Sequence, residues 1–271
     1  MERTADVVII GGGVHGCAVA YHLCRLGDLK VSLFERGYVT SGATGRSAAG
    51  VRHQFGTEIN CRLAIWNIRL LEGLRDELDY PHDLELSQGG YLLLAYTPGQ
   101  LAQFERNVTL QRSLGIPSSI LSPAEVADVA PALNLDGVLG ASFCPRDGHV
   151  NPFHLTWAYA RAAERMGARI HPFCPVQSVL TSDSRVRGVL TSRGAVEAPV
   201  VVICAGAEGA ELARARGLDV PVYGERHQIL VTEPVAHFLD PMVLCFEDGS
   251  YFKQTPHGSL LMGIGSPFEP K

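Results

Sequence analysis

Three glycines near the start of the chain have the spacing of a nucleotide-binding turn. The stretch VVIIGGGVHG covers residues 7–16, and Gly11, Gly13 and Gly16 fit the pattern G-x-G-x-x-G. The first glycine permits a tight turn, the second lets the backbone approach a diphosphate, and the third lets a helix pack closely on a sheet. Glu35 follows at the spacing at which a carboxylate accepts hydrogen bonds from ribose hydroxyls. The pattern therefore predicts a bound dinucleotide, NAD or FAD, while Glu35 would repel the 2′-phosphate of NADP.

The elements around these residues predict a β-turn-α-β unit. Val7–Ile10 is an apolar run typical of a buried parallel strand, and apolar residues at helical spacing follow it as far as Gly27. Lys30–Phe34 reads as the next strand and ends at Glu35. This order begins a doubly wound sheet and places the anion at the positive end of the first helix.

Later segments predict a second sheet and a discontinuous first domain. Val200–Cys204 reads as a further buried strand of the first sheet. Strands of a different sheet are predicted at Gly90–Ala95, Gln228–Thr232, Tyr251–Gln254 and Leu260–Gly263. The predicted fold is α/β: a discontinuous Rossmann-like dinucleotide-binding domain, residues 1–85 and 144–215, is interleaved with a second, mostly antiparallel-sheet substrate (cap) domain, residues 86–143 and 216–271.

Composition excludes several classes of protein. The 271 residues are 46% hydrophobic and carry a net charge of −5, which argues against a nucleic-acid-binding protein. No apolar run reaches membrane-spanning length and no basic leader precedes a hydrophobic segment, so we expect a cytoplasmic protein without a membrane span. The seven cysteines form no C-x-x-C pair, which indicates free thiols. The histidines show no ligand spacing, and no metal site is expected.

Motifs along nearly the whole chain resemble one family. They are VVIIGGGVHG, AYHLCRLG, VSLFERG, SGATGRSAAGVRHQFG, RGVLTS, VVVICAGAEGAEL and YFKQTPHGSLLMG. In this order they resemble the D-amino-acid-oxidase-type (DAO) FAD-dependent oxidoreductases, and within them the group of sarcosine oxidase β-subunit, dimethylglycine dehydrogenase and dye-linked proline dehydrogenase. The resemblance makes the first domain an FAD-binding domain.

The resemblance also implies which residues bind FAD. Residues of the glycine turn and of the second strand would hold the ADP half: Gly11, Gly13, Val14, His15, Gly16, Glu35 and Arg36. Residues of the following loop would run along the diphosphate and the isoalloxazine: Gly42, Ala43, Thr44, Gly45, Arg46, Ser47, Gly50 and Val51. Val176 would contact adenine, and Ala205 and Gly206 would approach the cofactor. Some relatives attach the flavin to a histidine in the loop, but Gly45-Arg46-Ser47 contains none, so non-covalent FAD is predicted.

For the substrate, the resemblance implies a small amine or amino acid that loses a hydride to flavin N5. Arg52 is the candidate for binding a substrate carboxylate, because a guanidinium matches a carboxylate in two hydrogen bonds. Tyr251 and Lys253 lie on one face of a predicted strand and are candidates for lining the substrate cavity. Several oxidases carry an oxygen-activating lysine at the place of Leu261, which favours a dehydrogenase here with an unidentified electron acceptor.

Family members continue past the position of Lys271. We therefore expect the C-terminal part of the family fold to be missing, the cap domain to be incomplete, and a partner subunit to be possible. Sarcosine, dimethylglycine, proline and D-amino acids remain open as substrates. Two other functions remain open as well: a truncated flavoprotein that acts as a non-catalytic subunit or scaffold, and an NAD-dependent dehydrogenase.

Overall fold

A computed structural model describes residues 3–264 of the chain. Its helices are α1 (Val14–Leu26), α2 (Glu58–Glu77), α3 (Pro98–Ser113), α4 (Pro123–Val129), α5 (Pro152–Arg165) and α6 (Gly209–Arg214), with short 3₁₀ helices at Thr44–Arg46 and Gly206–Glu208. Its strands are β1 (Val7–Ile10), β2 (Val31–Phe34), β3 (Gly50–Val51), β4 (Tyr91–Ala95), β5 (Ser119–Leu121), β6 (Gly140–Cys144), β7 (Gly148–His149), β8 (Arg169–His171), β9 (Val176–Ser182), β10 (Arg185–Thr191), β11 (Gly194–Glu197), β12 (Val200–Ile203), β13 (Gln228–Pro234), β14 (Met242–Cys245), β15 (Ser250–Gln254) and β16 (Ser259–Ile264).

The first sheet has the order β12-β1-β2-β8, and its neighbouring strands are parallel. β1 is buried along its whole length because helices cover one face and a small antiparallel sheet, β11-β10-β9, covers the other. Val7 and Ile9 pack against residues of α1 and α5, whereas Val8 and Ile10 pack against the antiparallel sheet. A continuous apolar run is what a strand between two layers requires.

The second sheet contains strands from two separate parts of the chain. Its order is β13-β16-β15-β14-β4-β6-β5, and within it only the β4–β14 pair is parallel. One face packs Leu92, Val243 and Phe252 together, while Leu93 and Tyr251 belong to the cluster on the opposite face. The alternation predicted for Tyr251 and Phe252 is therefore present.

A short two-stranded ladder lies where the chain passes between the two sheets. β3 follows the glycine-rich loop, and it pairs antiparallel with β7, which precedes α5. His149 of β7 also bridges to Ser87, just before β4. A Cβ on Gly148 would lie 1.8 Å from the Ser87 carbonyl oxygen, so a glycine is required for this close approach.

The α/β class and the interleaving of the two sheets agree with the sequence-based prediction. Six strands were not predicted: β5, β6 and β14 belong to the seven-stranded sheet, β11 to the three-stranded sheet, and β3 and β7 form the two-stranded ladder. The domain boundaries and the missing C-terminal part stay predictions, and residues 265–271 lie outside the described part. Among residues 3–264, no helix combines the length and apolarity that a membrane span requires.

We predict that Gly16→Ala destabilises the fold. A Cβ on Gly16 would lie 1.9 Å from the carbonyl oxygen of Gly11, so α1 would have to move away from β1. Overpacking of this kind costs about 1–3 kcal/mol. The measurement is the free energy of unfolding by chemical denaturation.

Gly73→Ala is the matched control. Gly73 lies in α2, and no atom lies within 4 Å of a Cβ placed there. Alanine is the better helix former by about 0.8–1 kcal/mol, so this variant should be slightly more stable than the wild type. Equal stability of the Gly16 and Gly73 variants would contradict the close packing of α1.

Candidate cofactor and substrate site

The glycine turn leaves the N-terminus of α1 open to a ligand. Gly11 has a φ of 110°, and a Cβ there would lie 2.4 Å from the Cys204 carbonyl oxygen. Gly13 caps the helix in extended conformation, with no side chain in the capping position. The N–H of Val14 donates to Thr44 Oγ1 at 3.2 Å. The first N–H groups of a helix have no partner within it, so this turn fits a diphosphate.

The Glu35 carboxylate is fixed directly beside the glycine turn. Its Oε2 accepts the Gly12 N–H at 2.7 Å, and its Oε1 accepts the Gly37 N–H at 2.7 Å and the Ser41 hydroxyl at 3.2 Å. The residue is buried at the end of β2. These donors hold the carboxylate in one orientation, and its remaining lone pairs are suited to ribose hydroxyls. The residues present therefore fit the ADP half of FAD.

Other predicted cofactor residues lie around this turn. Arg36 forms an exposed ion pair of 2.6 Å with Glu208, which connects the end of β2 to the 3₁₀ helix that contains Gly206. Ala205 and Gly206 directly follow β12, the neighbour of β1. His15 is exposed on the first turn of α1. Val176 begins β9 and packs in the cluster beneath the antiparallel sheet.

The loop between Gly42 and Ser47 packs on the start of α5. A Cβ on Gly45 would lie 2.5 Å from the Thr40 carbonyl oxygen and 3.0 Å from the Phe153 ring. Ser47 donates to the Thr44 carbonyl oxygen at 2.8 Å, which closes the 3₁₀ turn. The side chains that face solvent in this loop include those of Ala43 and Arg46. The small residues thus let the loop approach α1 and α5 together.

A cavity of about 430 Å³ lies between this loop and the second sheet. Its lining residues are Gly50, Arg52, Phe55, Tyr91, Met242, Leu244 and Tyr251. The Arg52 guanidinium lies 5.0 Å from the Phe55 ring centroid and 5.9 Å from that of Tyr91, at cation–π distance. A Cβ on Gly263 would lie 2.5 Å from the Tyr251 ring, so this glycine provides space for the tyrosine. The structure thus brings Arg52 and Tyr251 to one cavity.

Lys253 is on the same face as Tyr251, but it is not among the described residues that line the cavity. Its side chain is buried, and burial lowers the pKa of Lys253 to about 8, although the Glu85 carboxylate acts in the opposite direction. Burial and the nearby Lys253 charge lower the pKa of His149 to about 4, so its imidazole is neutral at pH 7. Glu85 also accepts hydrogen bonds from Asn151 at 3.0 Å.

The two residues just after Arg52 belong to a cluster of buried polar side chains that the sequence analysis missed. We name it the Asp147 cluster, and its members are His53, Gln54, Ser142, Cys144 and Asp147. Ligand atoms of His53, Cys144 and Asp147 lie within 4.8 Å of one another. Burial and the Asp147 charge raise the pKa of Cys144 to about 12, so the thiol is protonated at pH 7 when no metal ion is bound. The expectation of no metal site stays a prediction.

The sequence DGH at 147–149 is a local signal for a turn, but it does not indicate this cluster. An aspartate before a glycine is typical of a turn, and here the turn joins β6 to β7. Nothing local in the sequence indicates that Asp147 contacts residues that lie more than ninety positions earlier, His53 and Gln54.

Comparison with known proteins gives matches along the chain. The family model described as "DAO: FAD dependent oxidoreductase" matches residues 6–270. The chain is 32% identical over 270 residues to sarcosine oxidase subunit beta from Arthrobacter sp, covering 97% of this chain and 66% of the relative. It is 32% identical over 270 residues to mitochondrial dimethylglycine dehydrogenase from Rattus norvegicus, covering 98% of this chain and 31% of the relative.

The fold is also similar to solved structures. The structure of L-proline dehydrogenase from P. horikoshii superposes with a TM-score of 0.90 at 30% sequence identity, over 98% of this chain and 71% of that protein. The chain therefore spans 66% or less of the two sequence relatives and about seven tenths of the structural relative.

We predict that Lys253→Met raises stability in a pH-dependent way. Unfolding returns the lysine to its ordinary pKa of 10.5 from about 8, so between these values the unfolded chain binds more protons and stability rises with pH. Below pH 8 the folded protein bears the full cost of the buried charge. The variant should therefore be more stable than the wild type by up to about 3 kcal/mol at pH 7, and the difference should shrink toward pH 10.5.

The measurement is the free energy of unfolding of both proteins from pH 7 to 10.5. Lys30→Met is the control, because Lys30 is exposed and its replacement should leave the slope unchanged. A difference between wild type and Lys253→Met that does not vary with pH would contradict the buried charge.

Proposed function

The chain belongs to the DAO family of FAD-dependent oxidoreductases, and from this membership we propose that it oxidises the C–N bond of a small amino acid that carries a secondary or tertiary amine. The family model covers residues 6–270, and the relatives act on sarcosine, dimethylglycine and L-proline by their names. Non-covalent FAD, bound at the glycine turn and Glu35, is part of the proposal.

The observation that supports this substrate class is the position of Arg52. Its guanidinium is the charged group that lines the cavity, and the other lining residues are apolar, aromatic or glycine. A carboxylate is the anion that pairs with a guanidinium through two charge-assisted hydrogen bonds. The apolar walls around Met242 and Leu244 suit the carbon skeleton of a small substrate, and the volume of about 430 Å³ suits a molecule of this size.

The chain's residues would bind and orient, because the cofactor supplies the redox chemistry. When bound, FAD would supply the acceptor for a hydride from the carbon next to nitrogen, and the substrate would be left with a C=N bond, as an imine or, from a tertiary amine, as an iminium ion. Arg52 would fix the carboxylate, and Tyr251 on the opposite wall would limit how the amine is placed. Water would then hydrolyse the imine.

The electron acceptor is a separate part of the proposal. The preference for a dehydrogenase rested on Leu261, where several oxidases carry a lysine. In the structure Leu261 pairs directly with Lys253, so the two side chains share a face of the sheet and a lysine does lie beside this place. This weakens the argument from Leu261, and we propose an oxidoreductase without choosing oxygen or another acceptor.

A partner subunit is proposed from the relatives. The Arthrobacter relative is named as a subunit, and the chain spans 66% of it. The role of a non-catalytic subunit is the second candidate function, and it requires that FAD binds but no amine reduces it. An NAD-dependent dehydrogenase finds no support in the family match.

We predict that Arg52→Ala selectively weakens amino-acid oxidation. The loss of charge-assisted hydrogen bonds costs about 1.5–3 kcal/mol, so KM should rise about 10- to 150-fold while FAD content stays near that of the wild type. The assay follows anaerobic bleaching of bound flavin by sarcosine, dimethylglycine, L-proline and glycine, normalised to the flavin present. Amines without a carboxylate, dimethylamine and pyrrolidine, should respond to the change far less.

Arg62→Ala is the matched control, because Arg62 forms an exposed ion pair with Glu58 away from the cavity lining. Bleaching by none of these amino acids in FAD-loaded wild type would favour the non-catalytic subunit. Equal weakening for substrates with and without a carboxylate would refute the role of Arg52.

A further inference from the structure

We propose that Asp147 is a positioning residue that holds the segment after Arg52, and through it the guanidinium, in the place where a substrate carboxylate binds. The inference rests on the proposed function, because it concerns how the same cavity recognises its substrate. Asp147 is fully buried and is not among the described residues that line the cavity. Any effect on substrate binding must therefore pass through other residues.

The Asp147 carboxylate contacts the two residues that follow Arg52. Its Oδ1 accepts the backbone N–H of His53 at 2.8 Å and lies 2.6 Å from Nδ1 of the His53 ring. Its Oδ2 accepts the amide of Gln54 at 3.1 Å. A buried carboxylate needs several hydrogen-bond partners. Here His53 and Gln54 supply three contacts, and the Cys144 thiol also hydrogen-bonds to the carboxylate. The backbone next to Arg52 is thereby bound to the turn between β6 and β7.

Gln54 extends this connection to the wall of the cavity. Its amide nitrogen donates to the Tyr91 carbonyl oxygen at 2.9 Å, and its Oε1 accepts the Ser142 hydroxyl at 2.5 Å. Tyr91 belongs to β4, and its ring is one of the two that the Arg52 guanidinium approaches. The Gln54 side chain thus connects the segment that follows Arg52 to the backbone of Tyr91, whose ring lies beside the Arg52 guanidinium.

The segment is fixed from its other side by β3. Gly50 and Val51 pair with His149 and Gly148 of β7, so the residues just before Arg52 are held by a ladder. Between this ladder and the Asp147 cluster, Arg52 is the residue whose side chain reaches the cavity. Its long side chain would otherwise sample many rotamers, and fixing the backbone at both sides reduces this freedom.

Asp147→Asn tests this inference because it changes charge and hydrogen bonding with little change in volume. An asparagine at this position places an NH₂ group opposite one of the N–H groups from which Asp147 accepts a hydrogen bond. Two donors then face each other, so the segment 52–54 must shift. The probe is acetate, titrated into the FAD-loaded chain and followed by the absorbance of bound flavin and by calorimetry. Acetamide, which has the same shape without the charge, is the matched probe.

The decisive measurement is a double-mutant cycle of Asp147→Asn and Arg52→Ala. Asp147→Asn alone should weaken acetate binding about 10-fold or more. The FAD content and the thermal midpoint of unfolding should stay near those of the wild type. In the Arg52→Ala background the same change should alter acetate affinity less than 2-fold. Acetamide binding should be insensitive to both. Ser142→Ala, which leaves the contacts of the carboxylate in place, should have a small effect.

Several results would overturn the inference. Equal weakening by Asp147→Asn in both backgrounds would mean a general structural role, and no weakening in the protein that retains Arg52 would mean that Asp147 has no positioning role. Stoichiometric metal in the purified wild type, lost in the variant, would mean that His53, Cys144 and Asp147 are ligands. If Asp147→Asn fails to fold, Gln54→Met, which removes the donor to Oδ2, takes its place in the cycle.

The failure of the proposed function gives a different result. In that case Arg52→Ala by itself leaves acetate binding unchanged, and the double-mutant cycle measures no coupling between Arg52 and Asp147. When Arg52→Ala weakens acetate binding and Asp147→Asn does not, Arg52 keeps its role and only the positioning by Asp147 is refuted.

Discussion

The hydrogen bond from the Gly12 N–H to the Glu35 carboxylate is the contact on which the cofactor site depends. It joins the end of β2 to the turn between β1 and α1, and so places a carboxylate beside the open N-terminus of α1, as the proposed FAD site requires. Gly11 and Gly16 make the arrangement possible, because a side chain at either position would collide with backbone atoms. The geometry of the proposed dinucleotide site therefore follows from local packing between the first two strands.

The cavity that we propose for the substrate depends on a second connection, between the two sheets. The β3–β7 ladder and the Asp147 cluster lie on either side of Arg52 in the chain, and both involve the turn at 145–149. This turn directly follows β6 of the second sheet, and the second sheet also forms one wall of the cavity. In our proposal, Arg52 is therefore positioned by the sheet that lines the cavity. The two halves of the site are thus built by interleaved parts of the chain.

Sequence reasoning predicted the parts of the structure that depend on local patterns. Val7–Ile10 is recognisable because a strand buried on both faces needs a continuous apolar run. Val200–Ile203 has the same apolar pattern, but it is the edge strand β12, it is only partly buried and Val200 is exposed, so the prediction of a buried strand there was wrong. β6 was missed because Gly140-Ala141-Ser142 has small residues of low strand propensity. The contacts of Asp147 join distant residues, which no local pattern indicates.

The most direct test of the account measures which part of a flavin the chain recognises. Calorimetric titration of the flavin-free chain with FAD, FMN and ADP gives three affinities. Their comparison separates the contribution of the glycine turn and Glu35 to binding from that of contacts to the isoalloxazine. We expect FAD to bind with one-to-one stoichiometry, ADP to compete with it, and FMN to bind far more weakly, because the adenosine diphosphate contacts dominate. FMN binding as tightly as FAD, with no competition by ADP, would contradict the assignment of the glycine turn.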